Sequence, residues 1–136
     1  MLKKHIFTIL FISWMVFITL LSLFSFPETG KSSIFHLKIP NIDKVVHFMF
    51  YFVATILGCF FVREKFGKTC KFSKALYLIG TGAIIYGIII EVLQSNFTVN
   101  RHGDIIDVIA NSAGVLVAVF IAKQLIFNKS QLKWRN

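Results

Sequence analysis

Residues 90–114, IEVLQSNFTVNRHGDIIDVIANSAG, decide the fold because they join two long apolar segments through a short polar turn. A turn this brief predicts that the two segments form an antiparallel helical hairpin. Carboxylates stand inside both segments, and a carboxylate in an apolar span costs free energy unless it is paired or faces water. The polar side chains near the turn are Glu91, Gln94, Arg101, Asp104, Asp107 and Asn111. Their presence in an apolar hairpin is the main indication of function.

The composition places the chain in a membrane. Of the 136 residues, 56% are hydrophobic and only 15% are charged, and the mean hydropathy is +0.73. A helix needs about 20 apolar residues to cross the hydrocarbon core, and the runs that reach or approach this length are 6–26, 45–62, 75–95 and 105–127. The sequence therefore predicts an all-α fold, an integral membrane four-helix bundle that forms a single domain over residues 1–136.

The basic residues divide unequally between the two sides of these spans. If the amino terminus is cytoplasmic, eleven of the fifteen lysines and arginines lie on the cytoplasmic side. Cationic loops resist translocation, so this asymmetry sets the orientation. We expect both termini to be cytoplasmic, the chain to cross the cytoplasmic (inner) membrane several times, and the polar residues around the turn to face outward.

The strongly basic balance has a simple explanation in a membrane. A pI near 9.9 would suggest nucleic-acid binding in a soluble protein, but here the basic residues flank apolar spans, where they attract anionic lipid head groups. We therefore expect membrane lipids, and no nucleic acid, as partners. The two cysteines, Cys59 and Cys70, show neither a disulfide framework nor a metal-ligand spacing.

Small and polar side chains share faces of the predicted helices. In the second span Asp43, His47 and Tyr51 follow one another at i, i+4 steps. In the third span the shared face changes from small residues to Glu91 and Gln94 toward the turn. The fourth span carries a small-residue ladder that permits close contact with another helix or with a second copy of the chain. The ladder consists of Ala110, Gly114, Ala118 and Ala122.

Three sequence blocks resemble a known family. DKVVHFMFY from Asp43, GIIIEVLQ from Gly87 and RHGDIIDVIANSAG from Arg101 are similar to the signature blocks of VanZ-like membrane proteins, and the resemblance covers residues 43–122. It implies a small multi-span membrane protein from a family named for its association with resistance to glycopeptide antibiotics, teicoplanin in particular. The family's polar positions correspond here to Asp43, His47, Tyr51, Glu91, Gln94, Arg101, Asp107 and Asn111.

The polar residues support three functional readings. In the first, they bind a lipid-linked cell-envelope molecule or a lipidated glycopeptide and so lower teicoplanin susceptibility, with Arg101 as the anion contact. The remaining ligand-binding residues in this reading are Asp43, Tyr51, Gln94 and Asn111. In the second, the protein is an enzyme that modifies an envelope lipid, and Glu91, His47 and Asp107 provide acid and base chemistry. In the third, the chain is a structural or homo-oligomeric protein built on its small-residue ladder.

The acids are not equivalent in these readings. Asp104 stands at the start of a helix, where a carboxylate caps free amides and is favoured by the helix dipole. Glu91 stands at the end of a helix, where a negative charge is unfavourable, so a functional role explains it better. His47 beside Asp43, Glu91 and Asp107 could serve as a metal ligand, but the signal is weak, since the predicted cluster has one histidine, no HExxH pattern and no cysteine partner. We therefore assign no metal and no cofactor from the sequence.

Overall fold

The chain folds into four helices. The computed structural model describes residues 5–23, 42–66, 71–97 and 104–133. Helix α1 spans Ile6–Leu23, α2 spans Ile42–Phe66, α3 spans Phe72–Phe97 and α4 spans Ile105–Lys133. The predicted all-α fold is confirmed. Helices α2, α3 and α4 extend beyond the predicted apolar runs. A charged residue ends an apolar run, but it does not interrupt the backbone hydrogen bonds, so the helix continues past it.

Each helix is long and apolar enough to cross a membrane. Many large apolar side chains remain exposed on the outside of the bundle, such as Leu78, Leu116 and Phe120, which are 66%, 62% and 62% exposed. A soluble protein of this size would bury such a surface. The chain is therefore a multi-pass membrane protein, as predicted, and its exposed apolar surface is the part that meets lipid. The cytoplasmic placement of both termini stays a prediction.

Helix α2 contacts each of the other three helices, and its contact with α4 is the most extensive. Gly114 makes this contact close, since a Cβ atom there would collide with the backbone carbonyl oxygen of Phe48 on α2. Farther along α4, Ala118 and Ala122 are also buried. Within the chain, the small-residue ladder of α4 is thus the face that packs on α2.

Helix α1 lies antiparallel to α2 and follows it along its length. The rings of Phe7 and Phe60 stack with centroids 4.9 Å apart, and those of Phe11 and Phe61 stack at 5.2 Å. Toward the other end of α1, the indole nitrogen of Trp14 donates a hydrogen bond of 3.0 Å to the Phe50 carbonyl. These contacts fix the position of α1 on the bundle.

A carboxylate from α2 caps the first turn of α1. Glu64 Oε2 accepts a hydrogen bond of 2.8 Å from the amide of Phe7, and Oε1 accepts one of 2.6 Å from the hydroxyl of Thr8. The Thr8 amide also donates to Oε1 at 3.4 Å. The first amides of a helix have no partner within the helix, and here a neighbouring helix supplies one. Glu64 therefore has a structural role.

The opposite end of the bundle is where α2 and α4 begin and where α1 and α3 end. We call it the polar end, because the charged and amide side chains of α2, α3 and α4 collect there. Antiparallel packing brings the first turns of α2 and α4 beside the last turns of α3, as the shared faces predicted. The candidate site lies at this end.

Candidate functional site

Lys44 is the centre of an ion-pair network at the polar end. Its ammonium nitrogen lies 2.8 Å from Asp43 Oδ2, 3.0 Å from Asp104 Oδ2 and 2.7 Å from Asp107 Oδ1. The side chain of Asp43 is 58% exposed, whereas that of Asp107 is 12% exposed. The network therefore runs from the surface of the protein into its interior, and it joins the first turn of α2 to the first turn of α4.

Asp104 caps α4, as predicted. Its Oδ1 atom accepts a hydrogen bond of 2.9 Å from the amide of Ile106, while Oδ2 faces Lys44. The hydrogen bond from Ile106, and then the ion pair with Lys44, hold the pKa of Asp104 below its ordinary value. Asp104 is thus negatively charged at neutral pH and belongs to the framework of the site.

Deeper in the bundle, His47 meets side chains from α3 and α4. Its Nδ1 atom lies 3.2 Å from Asn111 Oδ1 and 3.5 Å from Glu91 Oε1. Its Nε2 atom lies 3.9 Å from Asp107 Oδ2. An amide oxygen only accepts hydrogen bonds, so Nδ1 is the donor to Asn111. His47, Glu91 and Asp107 form what we call the inner triad.

Several buried polar atoms around the inner triad have no hydrogen-bond partner among the described residues. They include both carboxylate oxygens of Glu91, the amide nitrogen of Asn111 and the hydroxyl of Tyr51. The residues are 4%, 1% and 1% exposed. Asn111 lies beside the Glu91 carboxylate without forming a hydrogen bond of good geometry. Buried polar groups in folded proteins are almost always paired, so these atoms are the candidates for binding or chemistry at this end of the bundle.

Small residues make room for this arrangement. A Cβ atom at Gly87 of α3 would lie 3.1 Å from the Tyr51 ring and 3.4 Å from Asn111 Cβ. The Tyr51 ring also packs near that of Tyr86, with centroids 6.2 Å apart. Glycine at position 87 therefore lets α3 approach α2 and α4 closely enough to bring Glu91, one turn later, beside His47.

Gln94 ties the site to α1. Its side-chain nitrogen donates a hydrogen bond of 2.8 Å to the carbonyl of Ser22, in the last turn of α1. Gln94 is 4% exposed. All four helices therefore contribute to the polar end, although α1 contributes mainly through its backbone.

A cleft of about 500 Å³ opens beside this network. One part of its wall is polar, formed by Ser22, Asp43, Lys44, His47, Gln94, Asp104 and Asp107. The other part is apolar, formed by Leu21, Ile42, Val46 and Phe50. We call this space the polar cleft. It gives a molecule with both a polar and an apolar portion access to two members of the inner triad, His47 and Asp107.

Most of the predicted site residues lie together at the polar end. Six of them, Asp43, His47, Glu91, Gln94, Asp107 and Asn111, belong to the ion-pair network, the inner triad or their immediate neighbours. Tyr51 lies one helical turn after His47 on α2, with its ring against Gly87. Arg101, the predicted anion contact, lies outside the described residues. Roles in binding or catalysis stay predictions for all of these residues.

Lys44 is the residue that the sequence interpretation missed. The pattern of polar faces does not include Lys44, yet its ammonium contacts three carboxylates. The sequence carries two local signals for Lys44, its place in the first turn of an apolar helix and its position three residues before His47, but neither identifies its partners on α4. On a helix, residues three apart are neighbours on one face.

A comparison with family models agrees with this arrangement. A model described as VanZ/LLP1 matches residues 5–128. The chain belongs to the VanZ/LLP1 family. The predicted family resemblance is thereby confirmed, and the match extends beyond residues 43–122 to include α1 and most of α4. No curated protein and no solved structure matches the chain. The polar end described above therefore belongs to a membrane protein of the VanZ/LLP1 family.

Proposed function

We propose that this VanZ/LLP1 protein binds the polar head group of a lipid-linked cell-envelope molecule or of a lipidated glycopeptide in the polar cleft. The observation that carries the proposal is the composition of that cleft, which pairs a charged wall with an apolar one in a space of about 500 Å³. Ligand sites of this size commonly join apolar walls with a few placed polar groups.

The apolar wall suits a lipid chain. Ile42 and Val46 line the cleft and are 46% and 40% exposed. They stand in the first turns of a membrane-spanning helix, at the depth where head groups give way to acyl chains. An amphiphile that entered from the membrane would keep its chain against this wall while its head group reached Lys44 and His47.

The polar wall suits a head group rich in hydroxyl and amino groups. Three carboxylates, those of Asp43, Asp104 and Asp107, contact the ammonium of Lys44, and a fourth, that of Glu91, lies beside His47. Carboxylates accept hydrogen bonds from hydroxyl and ammonium donors. Sugars and peptides carry such donors, and both occur in lipid-linked envelope molecules and in lipidated glycopeptides. Arg101 remains the proposed contact for an anionic group.

The proposed orientation places the polar end outward. The excess of basic residues on the side of the termini supports this orientation. An outward cleft in the outer leaflet of the cytoplasmic membrane would meet envelope precursors after their export, and glycopeptides as they arrive. Lower teicoplanin susceptibility would follow from sequestering either molecule.

Binding in lipid nanodiscs tests the proposal. Asp43 is largely exposed, so Asp43→Asn should keep the fold while it removes a charge from the cleft. We expect Asp43→Asn and Arg101→Ala to weaken binding of a lipid-linked peptidoglycan precursor or of teicoplanin several-fold. Glu64→Gln, at the opposite end of the bundle, is the control and should leave affinity unchanged. Equal affinities for both probes in all four proteins would contradict the proposal.

A second function is favoured by one observation, the burial of a carboxylate beside a histidine. Glu91 and His47 are 3.5 Å apart, and a general base must lie within reach of a proton that it can transfer. In this alternative, the pair provides acid and base chemistry on a bound envelope lipid. Lipid extracts from cells with the wild-type protein and with Glu91→Gln should then differ chemically at equal membrane abundance. Identical extracts would reject the enzyme.

A further inference from the structure

We propose that the inner triad, His47, Glu91 and Asp107, binds a divalent transition-metal ion. Each residue offers one ligand atom, and these three atoms lie within 4.8 Å of one another. They come from three different helices, α2, α3 and α4. From the sequence alone the indication of a metal is weak, because the three residues are far apart along the chain and match no metal-binding motif.

The distances are close to those that a metal requires. Nitrogen and oxygen ligands at roughly 2.0–2.2 Å from a tetrahedral ion lie roughly 3.3–3.6 Å from one another. His47 Nε2 is 3.9 Å from Asp107 Oδ2, and the Glu91 carboxylate approaches the same ring 3.5 Å from Nδ1. For all three ligands to bind one ion at Nε2, a side-chain rotation must bring the Glu91 carboxylate toward that nitrogen, over a distance consistent with ligand atoms that already lie within 4.8 Å of one another.

The orientation of the imidazole favours a cation at Nε2. Asn111 Oδ1 accepts the hydrogen on Nδ1, so in the neutral imidazole Nε2 carries a lone pair. Nε2 lies 3.9 Å from a carboxylate oxygen of Asp107, and a cation between these two acceptors, either a metal ion or a proton, would stabilise them. Histidine ligands are commonly held in this way, with the second ring nitrogen donating to an oxygen. Asn111 would be the residue that positions His47.

The buried carboxylate of Glu91 is an independent indication of a ligand. Its side chain is 5% exposed, and neither oxygen has a hydrogen-bond partner among the described residues. A charge buried in this way is costly unless it is paired or coordinates a metal. The ammonium of Lys44 compensates the charge of Asp107 by contacting its Oδ1 atom. The other oxygen, Oδ2, remains on the side of His47.

The donor set indicates the class of the ion. Magnesium and calcium prefer oxygen ligands alone, whereas a set of one imidazole and two carboxylates suits borderline ions such as zinc or manganese. Three protein ligands also leave a coordination position open, as in catalytic zinc sites. The polar cleft reaches His47 and Asp107, so an exogenous oxygen atom could occupy that position. The metal proposal does not depend on which head group the cleft accepts.

Metal titration of the full chain in detergent tests this proposal. The protein is purified without a histidine tag, stripped with a chelator and titrated with buffered Zn²⁺ by calorimetry, and the bound metal is counted by mass spectrometry. We expect one ion per chain. His47→Gln and Glu91→Gln should weaken binding at least tenfold, since loss of even a supporting residue commonly costs 10- to 100-fold in affinity. Glu64→Gln and His5→Gln, which change the same residue types away from the triad, should bind like the wild type.

A second measurement keeps the test independent of variant folding. Co²⁺ bound to the wild-type protein should give the visible absorption of a low-coordinate site with nitrogen and oxygen ligands, and one equivalent of Zn²⁺ should abolish it. Asp43→Asn should retain this spectrum even if it loses the head group, so failure of the two proposals can be told apart. Wild-type protein that binds no Zn²⁺ and gives no Co²⁺ spectrum overturns the metal site, and its inner triad is then an ion pair of a protonated imidazole with carboxylates.

Discussion

The ammonium nitrogen of Lys44 lies 2.7 Å from Oδ1 of Asp107, and this contact joins α2 to α4 at the level of the candidate site. The Asp107 side chain is 12% exposed and that of Lys44 is 21% exposed. Because both charges are partly shielded from water, salt screens their attraction less than it screens a pair on an open surface. The same ammonium also compensates Asp43 and Asp104.

Replacing Lys44 should therefore loosen the polar end. In Lys44→Gln, three carboxylates lose the cation that compensates them, and their mutual repulsion should lower the thermal unfolding midpoint in detergent. Lys65→Gln is the control, since Lys65 is exposed at the opposite end of α2. If the two variants unfold at the same temperature, the Lys44 network contributes nothing to stability.

Gly114→Ala should destabilise the bundle. The added Cβ atom would collide with the Phe48 carbonyl, which is backbone and cannot rotate away. Overpacking of a tight contact typically costs about 1–3 kcal/mol, and separation of α2 from α4 would add to this. Chemical denaturation in mixed micelles measures the change.

Gly82→Ala is the matched control for Gly114→Ala. Gly82 also lies within a membrane-spanning helix, but a Cβ atom there would meet nothing within 4 Å. Alanine is also the better helix former. We expect Gly82→Ala to be at least as stable as the wild type. A loss of stability equal to that of Gly114→Ala would show that the contact with Phe48 does not explain the effect at position 114.

Glu64→Ala should uncap the first turn of α1. The amides of Phe7 and Thr8 would lose their acceptor, so their hydrogen exchange should become faster while exchange in the middle of α1 changes little. Lys65→Ala, at the neighbouring exposed position, should leave both rates unchanged. Equal protection of Phe7 and Thr8 in Glu64→Ala and the wild type would mean that water or another group replaces the cap.

Asp104 should make stability depend on pH in the acidic range. Its folded-state pKa is lowered, first by the Ile106 amide and then by Lys44, so the charged carboxylate stabilises the folded state. This contribution is fully present above the ordinary pKa and is lost as the pH falls through the lower, folded-state value.

Comparison with Asp104→Asn isolates this contribution. Asparagine keeps the ability to cap a helix but carries no charge. The wild type should unfold at a higher temperature than Asp104→Asn at about pH 7, and the difference should shrink toward about pH 3. Other carboxylates titrate in both proteins and cancel in the comparison. A difference that stays constant over this range would show that the charge of Asp104 has no part in stability.

Much of this arrangement could be predicted from the sequence. Hydropathy located the four helices, and shared helical faces predicted that Glu91, Asp107 and His47 would meet. Both patterns depend on local spacing, which a single sequence displays directly. The cap at Asp104 followed from its position just before an apolar run.

The remaining features depend on how helices are placed against one another. The partners of Lys44 could not be read from the sequence, because its long side chain reaches a carboxylate 60 residues later only after α2 and α4 have packed. That packing is set by the close contact of Gly114 with Phe48. The polar cleft lies between helices, so its shape depends on how the helices pack and cannot be predicted from local sequence patterns.

The capping of α1 by Glu64 has a consequence for biogenesis. Phe7 and Thr8 leave the ribosome long before residue 64, yet their amides take their acceptors from it. The first helix therefore enters the membrane before the amides of its first turn can donate to Glu64. Only when the second helix has crossed and its end has returned to the same surface does that turn acquire its last partners. A nascent chain can consequently complete the cap of α1 only when it is long enough to contain both α1 and α2.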